Sequence, residues 1–255
     1  MEEKTTPKVS IDVTENAPLI VDSTGCLREY GTVTLYPGGY IEFRISMKFT
    51  IDELIRKSPL DSDAGTRRNG AYDIYVKGAD GASGENGANG RCGDNGGSGS
   101  NGVNGDPGTG GSPGQPGDRG PTLDLHIGDL KSDITILNTG GKGGDGGNGG
   151  SGGNGGNGGS GTTNGGNGGA AGNGGDGGKG GDGGTLTVTY KTSTGSGIIC
   201  DNVAAAGGCG GSAGKAGNGG NGSGGGQHGQ GGDTATKGIQ GSFGAKGTFT
   251  VKEEK

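Results

Sequence analysis

Little in this sequence can build an oily core. Tryptophan is absent, aromatic residues make up 4% of the 255 positions and hydrophobic residues 25%. So poor a chain cannot bury a conventional core along its whole length. It must be partly disordered, fibrous, or held by backbone hydrogen bonds in place of buried side chains. No apolar run is long enough to span a membrane, and the first residues, from Met1 to Pro7, lack the apolar segment of a signal peptide. A cytoplasmic protein, or a virion part released by lysis, is therefore expected before a secreted one. The four cysteines, Cys26, Cys92, Cys200 and Cys209, show neither CxxC nor Cys/His metal spacing. They read as buried or reduced thiols, with one structural disulfide as the alternative. A net charge of −6 argues against a nucleic-acid backbone as the main partner.

What the chain has is glycine, 73 residues of it, and the glycine is periodic. Residues 140–184 are nearly pure Gly-Gly-X triplets, broken once at Thr162-Thr163-Asn164. Residues 78–120 keep glycine at every third position, and residues 208–247 do so except at Ser223 and Ala235. A period of three fits neither an α-helix nor a strand. It fits the extended left-handed helix with three residues per turn. In such a helix an all-glycine face lets another backbone lie against it. Two glycine faces imply two close neighbours, which places 140–184 between the other tracts.

Strand-like segments bracket the tracts. Residues 9–13, 71–76, 123–127, 134–137, 186–190, 198–203 and 248–251 read as strands, with a turn at Gly128-Asp129. Residues 32–46 read as a hairpin about Pro37-Gly38-Gly39. Residues 50–56 read as a short helix with Thr50 as N-cap and Glu53 as its capping-box partner. Residues 58–69 read as a polar loop. Thr122, Thr185 and Thr248 mark a unit of 63 residues, strands plus one tract. If both ends of a tract return to the strands, each tract folds back near its midpoint. The expected turns are Ser98-Gly99-Ser100-Asn101, Thr162-Thr163-Asn164 and Gly226-Gln227-His228. The expected fold is thus a mainly β base, a barrel or sandwich, carrying three long hairpins that form a six-helix polyglycine-II bundle, with almost no α-helix. The expected domains are an N-terminal β region at 1–77 and a base with tracts at 78–255. A flexible linker or a collagen-like rod is the competing reading. The regular phase opposes the first, and the lack of proline in 140–184 opposes the second.

Tyr72-Asp73-Ile74-Tyr75-Val76-Lys77-Gly78-Ala79-Asp80-Gly81 resembles the opening of the glycine-rich N-terminal domain of Obg GTPases. The stretch from Gly174 to Asp182 followed by Leu186-Thr187-Val188, and Gly117-Asp118-Arg119-Gly120 leading into Leu123-Asp124-Leu125, are similar to other parts of it. The resemblance implies a barrel-like base with three glycine-rich projections, and tips that enter a ribosome or large RNA. No GTPase follows. Gly210 to Ala216 is no P-loop, because Cys209 stands at the first glycine and Ala216 at the metal-binding hydroxyl. The periodicity is also similar to that of phage tail-fibre tip adhesins and snow-flea antifreeze protein.

Catalytic chemistry is hard to place. His126 sits in a strand and His228 at an expected turn. Asp176 and Asp182, with Lys179 between them, read as a solvated charge row. The run from Gly140 to Asp145 resembles a calcium β-roll repeat but has Gly147 where an apolar residue belongs, so no metal and no cofactor are expected. The reading is a non-enzymatic structural or recognition module, an adhesin, fibre tip or scaffold. It would present polar tips at Ser98, Ser100, Asn101, Thr162, Thr163, Asn164, Gln227 and His228. The partner would be a protein or cell-surface glycan, or a second copy of the chain. Ribosome binding and ice binding are the alternatives.

Overall fold

The computed structural model describes residues 8–57, 72–195 and 197–254, and the elements assigned among them are strands. They are β1 (Ile11–Val13), β2 (Leu19–Val21), β3 (Glu29–Leu35), β4 (Ile41–Phe43), β5 (Met47–Arg56), β6 (Ile74–Lys77), β7 (Leu123–Leu130), β8 (Ile134–Thr139), β9 (Thr185–Ser193), β10 (Ile198–Asn202) and β11 (Thr248–Glu253). Odd-numbered strands form one sheet, β1-β3-β5-β7-β9-β11, and even-numbered strands the other, β10-β8-β6-β4-β2. Every strand pairing is parallel. The chain therefore winds as a coil, one odd and one even strand per turn, and each turn stacks on the last.

All-parallel sheets are usually covered on both faces; here the core lies between the two sheets, and the strands bury alternate residues toward it. Phe49, Ile51, Leu125, Ile127 and Leu186 come from the odd sheet, and Ile41, Phe43, Ile74, Val76 and Ile136 from the even one; none is more than 2% exposed. Phe43 and Phe49 meet edge to face across it, ring centroids 5.0 Å apart. Such side chains contribute about 1.5–3 kcal/mol each on burial.

Several expectations are corrected here. The base expected as a barrel or sandwich is two open, all-parallel sheets with the core between them, and it closes into no barrel. Residues 32–46 form no hairpin, because β3 and β4 belong to different sheets; Gly38, at φ 79°, turns the corner between them. Residues 50–56 are no helix but the end of β5, since β3 and β7 flank that strand and take its backbone hydrogen bonds. Tertiary pairing has overridden a local capping signal. Gly128-Asp129 is no turn but part of β7; the chain turns at 131–133. The six-helix polyglycine-II bundle is not among the assigned elements: the tracts carry neither helix nor strand beyond a single bridge, Thr163 to Ser223. The loop expected at 58–69 lies outside the described residues. Both sheets take strands from either side of residue 77.

The tracts are the connections from β6 to β7, β8 to β9 and β10 to β11, so all three leave the same side of the coil. Each runs out, reverses at a glycine of positive φ (Gly99, Gly161, and Gly224 with Gly225) and returns. Twenty extended residues reach at most about 70 Å. The outgoing arms 78–97, 140–159 and 207–222 stack in layer order, as do the return arms 100–120, 164–184 and 226–247. Gly84 N–H donates to Asp145 O at 2.8 Å and Gly146 N–H to Cys209 O at 2.8 Å. Within a tract the two arms bond as well, as from Gly169 N–H to Gly153 O at 2.7 Å. The second tract thus lies between the first and third.

Glycine marks each place where one arm crosses another. A Cβ on Gly144 would stand 1.9 Å from Ala82 O, and one on Gly143 would stand 2.0 Å from Gly178 O. One residue thus faces the first tract and the other its own return arm. Among the described residues the first tract's outgoing arm has no layer beneath it and needs only the second kind; Ala79, Ala82, Glu85 and Ala88 occupy the other position. The third tract's return arm has no layer above it among the described residues. There the positions held by Gly165 and Gly180 in the second tract carry His228 and Phe243. Proline follows the same logic. Pro107, Pro113 and Pro116 sit where the backbone nitrogen would face no further layer, so a missing N–H costs nothing.

Candidate functional site

Side chains at the third triplet position hold the layers in register. Asn86 Oδ1 accepts Asn148 N–H at 2.8 Å, while Gly87 N–H donates to Asn148 O at 2.7 Å. One Asn-Gly pair thus clamps both backbone groups of a residue in the next layer. Asn157 does the same to Asn221, with Gly158 as its second arm. Aspartate serves equally: Asp145 Oδ1 accepts Cys209 N–H at 2.8 Å, and Asp182 Oδ1 accepts Ala245 N–H at 2.8 Å. These N–H donors, with Lys142 and Lys179 beside them, hold the two carboxyls below the usual carboxylate range. Asp176 and Asp182, expected as a solvated charge row, both accept backbone hydrogen bonds, from Ile239 N–H and Ala245 N–H at 2.8 Å each. The clamp repeats at separations of 62 to 64 residues, the length of one unit.

The same stacking joins the three turns into one surface at the far end of the arms. Gly99 N–H donates to Ser160 O at 2.8 Å, and the Ser98 and Ser160 hydroxyls lie 3.1 Å apart. Asn101 Oδ1 accepts Asn164 N–H and Asn164 Oδ1 accepts Gln227 N–H, each at 2.8 Å. Thr162 Oγ1 donates to Gly224 O at 3.0 Å. Of the expected tip residues Ser98, Ser100, Asn101, Thr162, Asn164, Gln227 and His228 are exposed and share this end. Thr163 does not present itself. It is 3% exposed, its hydroxyl donates to Gly159 O, and its N–H and C=O bridge to Ser223. The third reversal falls at Gly224-Gly225, before the Gly226-Gln227-His228 expected from the sequence. His228 Nδ1 accepts Gly222 N–H at 3.4 Å, a contact across that turn.

Asn138, missed in the sequence, pins the tracts to the sheets. Fully buried, its side-chain NH₂ reaches Gly184 O, Asn202 Oδ1 and Thr248 O at 2.8–3.2 Å, while Gly184 N–H donates to its Oδ1 at 3.2 Å. Its signal was weak: a polar residue closing an apolar strand, just before Gly140. His126 lies far from the turns, on the outer face of β7, with Nε2 3.2 Å from Asp124. All four cysteines are free, and burial pushes the Cys200 thiol up to about 11. Among the described residues no group of three or more His, Cys, Asp or Glu side chains could hold a metal ion. Among the described residues no helix is long and apolar enough to cross a membrane.

No family model matches the chain. No curated protein matches it either. Among solved structures, a springtail antifreeze protein from Granisotoma rainieri, described as a nine polyproline type II helical bundle, is 26% identical over 64% of this chain and 96% of its own. The TM-score is 0.10, so this likeness carries no argument about fold or function. Nothing found supports the Obg resemblance, and the open parallel sheets differ from the barrel-like base it implied.

Proposed function

We propose that the chain is a non-enzymatic recognition module. The stacked tracts act as a stiff projection, and the joined turns bind a protein or cell-surface glycan. The observation behind this reading is the cross-linking of three turns into one polar surface, through Ser98–Ser160 and the Asn101–Asn164–Gln227 ladder. Hydroxyl and amide groups held in fixed register suit a hydrogen-bonding ligand, because little side-chain freedom is lost on binding. Ribosome entry is less favoured, since the tip residues from Ser98 to Asn101, Thr162 to Asn164 and Gln227 to His228 include no lysine or arginine. Ice binding is less favoured too, since the outward triplet positions mix Lys142, Asp145 and Asn148.

A glycan array and a cell-binding assay, run with the full chain and with Thr162→Glu and Gln227→Glu variants, test the proposal. Loss of capture in the variants, with unchanged thermal unfolding, is the expected result. Capture that survives both substitutions, or sedimentation with ribosomes in their place, would overturn it.

A further inference from the structure

The chain is dense in Asn-Gly pairs, the dipeptide most prone to spontaneous deamidation, because glycine leaves its own nitrogen unhindered. In the first two layers every such pair is held at both ends. The glycines after Asn86, Asn89, Asn95, Asn101 and Asn104 donate their N–H to a second-layer carbonyl, and those after Asn148, Asn154, Asn157, Asn164, Asn167 and Asn173 to a third-layer one. Each of these asparagines also accepts a next-layer N–H through Oδ1. Among the described residues the third tract has no layer above it. Gly219 N–H has no partner among the described residues, nor does the side chain of Asn218, which is exposed. Asn221 is guarded only by the 3.4 Å contact from Gly222 N–H to His228.

The geometry points to Asn218 as a site of spontaneous deamidation, selected from many identical dipeptides by its place in the last layer. The Gly219 nitrogen, deprotonated by water or hydroxide, attacks Cγ of Asn218. A C–N bond forms and the side-chain amide leaves as ammonia, giving a succinimide. One water then opens the ring at either carbonyl, leaving aspartate or isoaspartate. In the clamped pairs the same attack requires breaking the glycine's hydrogen bond and freeing the side chain. Isoaspartate reroutes the main chain through an added methylene. At position 218 it would disturb the bonds from Gly155 N–H to Asn218 O and from Asn218 N–H to Asn154 Oδ1. The exposed layer would therefore loosen with age while the two beneath it stay intact.

Trypsin separates the two classes, since Ala216 to Lys237 contains Asn218 and Asn221, whereas Gly143 to Lys179 contains only clamped pairs. The full chain is incubated at mildly alkaline pH, folded and in denaturant, and amide-to-acid conversion is followed by peptide mass spectrometry with fragmentation. In the folded chain conversion at Asn218 should run about tenfold faster than at Asn148 or Asn157, where the attack must break two hydrogen bonds, the glycine's and the side chain's. In denaturant the rates should converge. Equal rates in the folded chain, or no conversion at Asn218 while the denatured chain converts throughout, would overturn the assignment. An Asn218→Ser variant, whose backbone can still serve Asn154, should abolish the fast phase.

Discussion

Replacing one glycine by alanine should unfold or spare this protein according to where the glycine sits. Gly150 and Gly231 both have negative φ, so neither substitution forces a disfavoured backbone conformation. A Cβ on Gly150 would stand 1.9 Å from Ala88 O, well inside any real contact, and the obstacle is backbone that cannot rotate away. One arm must move by more than 1 Å, roughly the difference from van der Waals separation. That strains the bonds from Gly150 N–H to Thr109 O, from Gly172 N–H to Gly150 O, from Thr109 N–H to Ala88 O and from Gly90 N–H to Ser151 O. At about 0.5–1.5 kcal/mol net each, the loss is about 2–6 kcal/mol, large against a domain's total stability. At Gly231 the nearest atom to a Cβ is Gly217 O at 3.7 Å, ordinary contact. Gly231→Ala should be neutral, or stabilising by about 0.4–1 kcal/mol through the unfolded chain. Denaturant unfolding of the two variants beside the parent decides the matter. Equal effects at the two positions would refute the claim that close backbone crossing, rather than glycine content, dictates the sequence.

Other expectations follow from the same contacts. Asn157→Ala removes the acceptor for Asn221 N–H and should destabilise by about 1 kcal/mol. Asn157→Asp should restore most of that at neutral pH, and urea midpoints of the pair test it. Asp145 and Asp182 have folded pKa values below their unfolded ones, through the Cys209 and Ala245 N–H groups first and Lys142 and Lys179 next. Their stabilisation is therefore complete above the ordinary carboxylate range and is lost as pH falls through the depressed values. A double Asp145→Asn, Asp182→Asn variant should show a flatter acid limb in melting temperature against pH. Cys200, with its thiol pushed up to about 11 by burial, should react slowly with iodoacetamide near neutrality, while exposed Cys92 and Cys209 react first. Faster labelling of Cys200 would place it outside the core edge.

The 63-residue unit was legible because parallel stacking writes its register into the chain: Thr185 lies beside Thr248, and Leu123 beside Leu186. The central place of the second tract was legible from its second glycine per triplet. The winding of the strands was not. A strand that pairs with the next but one, across a turn through an opposite sheet, leaves no local mark, and residues 32–46 look like a hairpin to any short-range reading. Thr50 and Glu53 carried a real capping pattern that two parallel neighbours outweighed. At the tips, exposed polar residues were easy to find. Thr163 looked the same in sequence and is buried, because Ser223 bridges to it from the next layer. The role of asparagine as a clamp could not be inferred without knowing which residues stack.

Amide hydrogen exchange in the middle tract tests the whole account most directly. The N–H groups of Gly169, Gly172 and Gly175 donate to backbone carbonyls at 2.7–2.8 Å and should exchange as slowly as those of the core strand β7, while Gly219 and Gly231 exchange freely. Random-coil exchange at Gly169, Gly172 and Gly175 would mean that backbone bonding does not hold the tracts together.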